Sequence, residues 1–89
     1  MKNIRMPEFH EWFQKLPADI KKQARKDYKR FVADPDYPGL NFERLKTKDP
    51  FWSVRIGLHY RAVGLRQGDT IYWVFIGSHA DYDKYLRHL

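Results

Sequence analysis

The sequence contains no cysteine. This absence excludes disulfide bonds, thiolate nucleophiles and thiolate metal sites, and with them the secreted miniproteins that disulfides hold together. A long hydrophobic run is missing as well, because the longest one, residues 71–76, is far shorter than a membrane span. The N-terminal residues contain no apolar signal segment. We therefore expect a cytoplasmic protein that is neither exported by such a signal nor inserted into a membrane.

Motifs for nucleotide cofactors and for metal ions are also absent. The sequence has no GxGxxG, no P-loop and no nucleophile elbow. Its histidines form no i, i+4 pair on a predicted helix and have no cysteine to join them. They are His10, His59, His79 and His88. We expect neither a small-molecule cofactor nor a bound metal.

The length, the composition and the charge of the chain indicate a small basic domain. Eighty-nine residues and 10.8 kDa correspond to one domain, residues 1–89, whose core must come from a few large side chains. Aromatic residues make up 17% of the chain and supply such side chains. Seventeen Lys and Arg against eleven Asp and Glu give a formal charge of +6 and a pI near 9.7. This excess predicts a polyanionic partner: nucleic acid, a ribosome, an acidic protein or, as the least favoured candidate, an anionic membrane surface.

The first part of the chain predicts a helical hairpin over 6–34. Pro7 suits a first helical turn, and apolar residues recur at helical spacing up to Pro17, which predicts a helix over 6–15. A second helix is predicted over 17–33, because the pattern continues until an Asp-Pro pair closes it.

The second helix has an apolar stripe and a basic face. The stripe consists of Ile20, Ala24, Tyr28, Phe31 and Val32. The opposite face carries Lys21, Lys22, Arg25, Lys26, Lys29 and Arg30, relieved only by Asp19 and Asp27. Such a face is either a solvated surface or a docking site for an anion such as RNA. The candidate RNA-binding residues on it are Lys22, Arg25, Lys26 and Lys29.

The second part of the chain predicts a sheet over 42–77. Its expected strands are 42–46, 51–56, 60–66 and 70–76. Short connections make the last three antiparallel neighbours. Ser78 suits an N-cap and forms a capping-box-like pair with Asp81, which predicts a helix over 79–87. The predicted fold class is α+β, with the helical hairpin packed on a four-stranded antiparallel meander and a short C-terminal helix.

One loop in this meander predicts a pairing of two arginines. If residues 57–59 form a three-residue hairpin loop, Ile56 lies opposite Tyr60, and Arg55 lies opposite Arg61 on one face of the sheet. Like charges directly opposite each other destabilise a sheet, and arginine does not lose its proton.

Two explanations of the arginine pair are open. Either a carboxylate, Glu43 or Asp49, neutralises it, or the face binds an external anion. Further candidates near this face are Lys46, Lys48, His79, Tyr82 and Tyr85. Arginines for a phosphate, an imidazole for proton transfer and a tyrosine hydroxyl are the groups that metal-free RNA cleavage requires.

Four segments together resemble a known family. They are Phe42-Glu43-Arg44-Leu45-Lys46, Trp52-Ser53-Val54-Arg55-Ile56, Tyr60-Arg61-Ala62-Val63 and Ile76-Gly77-Ser78-His79. In this order, after two helices, they are similar to the RelE/ParE superfamily of toxins from type II toxin-antitoxin systems. The resemblance implies the RelE-like microbial ribonuclease-type fold and neutralisation by a cognate antitoxin, for which we expect an acidic segment. In the RelE-like branch it also implies mRNA cleavage in the ribosomal A site.

The resemblance also assigns roles to individual residues. Arg55 and Arg61 match basic residues that stabilise the scissile phosphate in RelE-like enzymes. His79 matches an Arg or His position, and either Tyr85 or Tyr82 matches the C-terminal tyrosine. The expected catalytic residues are therefore Arg55, Arg61, His79, Tyr85 and Tyr82, and the expected partners are mRNA and the ribosome.

Two departures from the family pattern affect these expectations. Ser53 stands where RelE-like enzymes have a lysine, so that one phosphate contact is missing unless Lys46 or Lys48 replaces it. Few residues precede Pro7, which predicts that the usual N-terminal strand is vestigial or absent. Two other functions remain open: inhibition of DNA gyrase, as the ParE branch implies, and an inactive toxin-like binding module.

Overall fold

The computed structural model describes residues 1–89 as three α-helices and a five-stranded sheet. The strands are β1 (Lys2–Arg5), β2 (Glu43–Arg44), β3 (Phe51–Ile56), β4 (Tyr60–Gln67) and β5 (Thr70–Ser78). The helices are α1 (Pro7–Gln14), α2 (Ala18–Ala33) and α3 (His79–Leu86), with a 3₁₀ turn at Pro38–Leu40. The predicted α+β class is confirmed. No helix combines the length and the apolar composition needed to cross a membrane.

The N-terminal strand corrects the sequence-based expectation. The sheet order is β1-β5-β4-β3-β2, in which β1 runs parallel to β5 and the other pairs are antiparallel. Four residues suffice for β1 because it adds to the edge of a longer strand, and the side chain of Asn3 accepts a hydrogen bond of 3.0 Å from Nε1 of Trp73. The sheet is therefore mixed and five-stranded, while β2 is shorter than predicted.

The helix boundaries follow the local signals. Pro7 begins α1 after an extended Met6, and α2 ends where Asp34 becomes extended before a proline. The backbone N–H of Asp81 donates to Oγ of Ser78 at 3.2 Å, so the predicted N-cap of α3 is confirmed.

The sheet is covered on both faces. One face packs against α2, and its buried residues form a cluster with Phe31 and Trp73. The other face packs against α3, where Val63, Phe75 and Tyr82 form a second cluster. A bulge in β5 separates the clusters, since Val63 pairs with Phe75 while the next residue of β4 already pairs with Trp73. Because of this extra residue, Trp73 and Phe75 point to opposite faces.

The orientation of α2 differs from the predicted stripe. Asp27 is buried at 7% exposure, whereas Tyr28 and Val32 are 37% and 54% exposed. Its carboxylate accepts hydrogen bonds of 3.0 Å from Gln23 and from the backbone N–H of Gly57. The polar partners make burial of this carboxylate possible. Asp27 therefore does not relieve the charge of the basic face; it anchors the loop between β3 and β4.

Candidate functional site

The predicted pairing of the two arginines is confirmed. Arg55 lies opposite Arg61, and both side chains are half-buried on the face that packs against α3. Nη1 of Arg61 donates to Oγ of Ser53 at 3.3 Å, and its guanidinium carbon lies 5.5 Å from the centre of the Tyr82 ring. The fold therefore fixes the orientation of Arg61 with one hydrogen bond and one cation–π contact.

No carboxylate neutralises this pair. Neither arginine lies within 4.0 Å of an Asp or Glu oxygen, so Glu43 and Asp49 do not bridge them. The same holds for every Lys and Arg, since the protein's two ion pairs involve the N-terminal amine and His79. Two half-buried guanidinium groups without a counter-charge form a site that favours an external anion.

His79 lies next to the arginine pair. It is the first residue of α3, and its backbone N–H donates to the carbonyl of His59 at 2.9 Å. Its side chain is 64% exposed, with Nε2 3.9 Å from Oδ1 of Asp83. A cleft of about 320 Å³ is lined by Arg55, Leu58, His59, Tyr60, Arg61 and His79. The two strands and the start of α3 thus bring three of the predicted catalytic residues together; we call this concavity the arginine cleft.

The cleft also contains a residue that the sequence analysis did not assign. His59 occupies the third position of the β3–β4 loop, directly before Tyr60 and Arg61. Its exposed side chain lines the same cleft as His79. The sequence could have indicated His59, because the loop of a hairpin lies next to the strand ends where Arg55 and Arg61 pair.

The two candidate tyrosines occupy different environments. Tyr82 is 7% exposed and lies beside the cleft, with its ring 5.8 Å from that of His79. Tyr85 stacks on Phe75 at 4.5 Å between ring centres. Burial, and then the charge of Glu8, raise the pKa of Tyr85 above its usual value of 10.0. Tyr82 contacts the arginine cleft, whereas Tyr85 packs in the apolar cluster.

The candidate lysines of the 45–50 loop are not part of the arginine cleft. Lys46 and Lys48 are exposed and precede Phe51, at the opposite end of β3 from Arg55. Four residues of strand separate these ends by about 13 Å. Neither lysine lines the cleft. Ser53, which stands at a lysine position of the family pattern, is fully buried and orients Arg61 instead.

The basic face of α2 is a separate surface. Lys22, Arg25, Lys26, Lys29 and Arg30 line a shallow depression without any apolar side chain. Arg25 lies over the ring of Phe13 at 5.3 Å, and Arg30 lies over that of Tyr37 at 4.4 Å. Lys22, Lys26 and Lys29 make no such contact and no ion pair, and they are exposed. These three lysines, the lysine row, carry fully available charge.

An apolar groove on the other face of the sheet lies apart from this chemistry. It has a volume of about 380 Å³ between α1 and α2. Its floor includes Val54, Ile56 and Ala62, which alternate along the strands with Arg55 and Arg61. The groove and the arginine cleft therefore open on opposite sides of the sheet.

Comparison with solved structures shows the fold. One chain of the RelB-RelE antitoxin-toxin complex from Methanococcus jannaschii is similar, with a TM-score of 0.74, 17% identity and coverage of 92% of this chain and 96% of that chain. The YoeB dimer from Staphylococcus aureus is similar with a TM-score of 0.65 and 20% identity, and the match covers 89% of this chain and 97% of that chain. The isolated RelE toxin from E. coli is similar with a TM-score of 0.64 and 13% identity, and the match covers 99% of this chain and 98% of that chain.

Comparison with sequence families shows the relationship. No curated protein matches the sequence. The family model described as ParE-like toxin domain matches residues 18–84, which include α2, β2 to β5 and six of the eight residues of α3. The matched segment thus contains both the lysine row and the arginine cleft. The chain therefore belongs to the ParE-like toxin domain family.

Proposed function

We propose that this toxin is a metal-independent endoribonuclease that cleaves mRNA at the ribosome, in the cytoplasm, and thereby arrests translation. The observation that carries the proposal is the arginine pair: two half-buried guanidinium groups face one cleft without a carboxylate within 4.0 Å. A phosphodiester supplies the missing negative charge, and arginine matches phosphate oxygens in a bidentate manner.

The chemistry is attack by the 2′-OH of RNA on the adjacent phosphodiester. Negative charge builds on the phosphate oxygens as the new bond forms, and Arg55 and Arg61 stabilise that charge. Arg61 is already oriented by Ser53 and Tyr82, so little reorganisation is needed when the phosphate binds. His79 or Tyr82 moves the protons that the reaction transfers.

The lysine row supplies a second contact with RNA. Lys22, Lys26 and Lys29 have no protein partner, and their charges are suited to the phosphate backbone of ribosomal RNA. Flexible, exposed lysines provide affinity without selecting a sequence. We assign this surface to docking on the ribosome and the arginine cleft to cleavage.

The antitoxin is the expected protein partner. Two solved structures with this fold are RelE-RelB complexes. An antitoxin that covers the arginine cleft must bring carboxylates to Arg55 and Arg61, because no residue of this chain neutralises them. Its binding should weaken as salt concentration rises.

Inhibition of DNA gyrase is the second candidate function. It is favoured by the description of the matching family as ParE-like. A gyrase inhibitor acts through a protein contact and does not require Arg55, Arg61 and His79 to converge. Induction would then cause DNA damage signalling while cellular mRNA stays intact.

The test is expression of the wild type and of Arg61→Ala, with growth and primer extension on cellular mRNA as readouts. The wild type is expected to arrest growth and to produce discrete mRNA ends. Loss of one preorganised charge contact should lower the cleavage rate by about a hundredfold or more. Arg44→Ala is the matched control, since Arg44 is exposed and pairs with Trp52 at the edge of the sheet, away from the cleft.

Each alternative has its own outcome. Arg61→Ala that arrests growth as strongly as the wild type would contradict the assigned site. Growth arrest with intact mRNA and DNA damage would support gyrase inhibition. Harmless overproduction without any antitoxin would identify an inactive binding module.

A further inference from the structure

His59 is an exposed loop residue without a structural role for its side chain. The imidazole makes no hydrogen bond, ion pair or aromatic contact within the protein. Only the backbone of His59 contributes to the fold, because its carbonyl accepts a hydrogen bond of 2.9 Å from the backbone N–H of His79. The side chain is therefore free to act on a ligand, and the neighbouring guanidinium groups select an anionic one.

The loop that carries His59 is held at both ends. Gly57 begins the loop with a positive φ of 57°, and its N–H donates to the buried carboxylate of Asp27 at 3.0 Å. At the other end, His59 is tied to the first residue of α3. A loop anchored to both α2 and α3 holds His59 next to His79, and both line the arginine cleft.

We infer that His59 and His79 form the acid–base pair of the proposed cleavage, with His59 as the general base and His79 as the general acid. This inference rests on the proposed function. Oδ1 of Asp83 lies 3.9 Å from Nε2 of His79, whereas no Asp or Glu oxygen lies within 4.0 Å of the His59 imidazole. We therefore assign the role of acid to the histidine beside a carboxylate and the role of base to the other histidine of the cleft.

The proposed step is balanced in protons and in bonds. His59 takes the proton of the 2′-OH while the 2′ oxygen forms a bond to phosphorus. The bond from phosphorus to the 5′ oxygen breaks, and His79 donates its proton to the departing oxygen. The products are a 2′,3′-cyclic phosphate and a 5′-OH, and no atom is oxidised or reduced. Two imidazoles that line one cleft can carry out such a transfer without a metal ion.

The surroundings of His59 bear on its pH dependence. The charged and titratable groups facing the cleft are Arg55 on β3, Tyr60 and Arg61 on β4, and His79 and Asp83 on α3, and the loop itself is anchored by Asp27 on α2. Both arginines stay charged over the accessible pH range. Replacing each histidine in turn therefore tests which of the two the pH dependence of cleavage requires.

The experiment is the pH–rate profile of mRNA cleavage by the purified protein on programmed ribosomes, for the wild type, His59→Ala, His79→Ala and His88→Ala. The wild type should give a bell-shaped profile. His59→Ala should lose about a hundredfold in rate at neutral pH and the acid limb of the bell, and His79→Ala should lose the alkaline limb. His88→Ala, at an exposed position beyond α3, should behave as the wild type.

A binding measurement separates this inference from the function on which it rests. Addition of a non-cleavable 2′-O-methyl RNA dinucleotide should shift the imidazole NMR signals of His59 and His79 but not those of His10 and His88. His59→Ala keeps the backbone bond to His79, so a folded variant is expected. If it cleaves with an unchanged profile while Arg61→Ala is inactive, His59 is only a loop residue and the proposed function stands. If the wild type does not cleave RNA, both fail.

Discussion

The arginine cleft and the lysine row are both positively charged, but the fold treats them differently. Arg55 and Arg61 are half-buried on adjacent strands, and one of them is oriented by Ser53 and Tyr82. The lysines of the row stand on one helix, exposed and without a partner. Rigid charge at a defined position suits stabilisation of a transition state, whereas mobile charge suits attraction of a polyanion. The contrast indicates that net charge alone does not reveal where chemistry takes place.

Neutralising the lysine row should separate docking from cleavage most clearly. In Lys22→Gln/Lys26→Gln/Lys29→Gln, the slope of log affinity against log salt for ribosomes should become shallower by about 2 to 3, because three phosphate contacts are lost. Cleavage of bound mRNA should continue at the wild-type rate. Ribosome cosedimentation over a salt series measures the salt dependence of ribosome affinity. Single-turnover cleavage at saturating ribosomes measures the cleavage rate of bound mRNA. Equal loss of both would show that the two surfaces act as one.

Removing the Ser53 hydroxyl should loosen the cleft without changing its charge. Ser53→Ala deletes the hydrogen bond to Arg61, and the expected loss in cleavage rate is about fivefold, equivalent to about 1 kcal/mol. Ribosome affinity should be unchanged, because the lysine row is untouched. Cleavage assays and chemical denaturation of the same samples check this. An unchanged cleavage rate would mean that the Tyr82 ring alone orients Arg61.

The smallest expected effect concerns Tyr85, which belongs to the apolar cluster. Burial first and Glu8 second raise its pKa above 10.0, so the folded protein holds the phenol proton more tightly than the unfolded chain does. Stability is therefore unaffected below about pH 10 and declines as the pH rises toward the raised pKa. Tyr85→Phe should remove this part of the alkaline decline, as measured by denaturation from pH 8 to 11. The cleavage activity of this variant at neutral pH should match that of the wild type. Reduced activity would show that Tyr85 takes part in cleavage.

Much of the site followed from local patterns. The loop length of the β3–β4 hairpin fixed the register, which placed Arg55 opposite Arg61, and Ser78 identified the start of α3. These features depend on residues close in sequence, for which turn and capping rules apply. The choice between Tyr82 and Tyr85 stayed open, because both lie on one helix and only its packing against the sheet distinguishes them.

Other features depend on residues far apart in the chain. The sequence pattern placed Asp27 on a charged helix face, yet its carboxylate accepts a hydrogen bond from the backbone N–H of Gly57, thirty residues later. The bulge that sends Phe75 and Trp73 to opposite faces breaks the alternation of β5, and β1 forms only because an edge of β5 is there to receive it. Sequence alone determined the three helices, the register of the β3–β4 hairpin and the excess of positive charge. Tertiary structure decided which charges are held rigidly and which stay mobile, because that depends on contacts that form only when distant segments pack together.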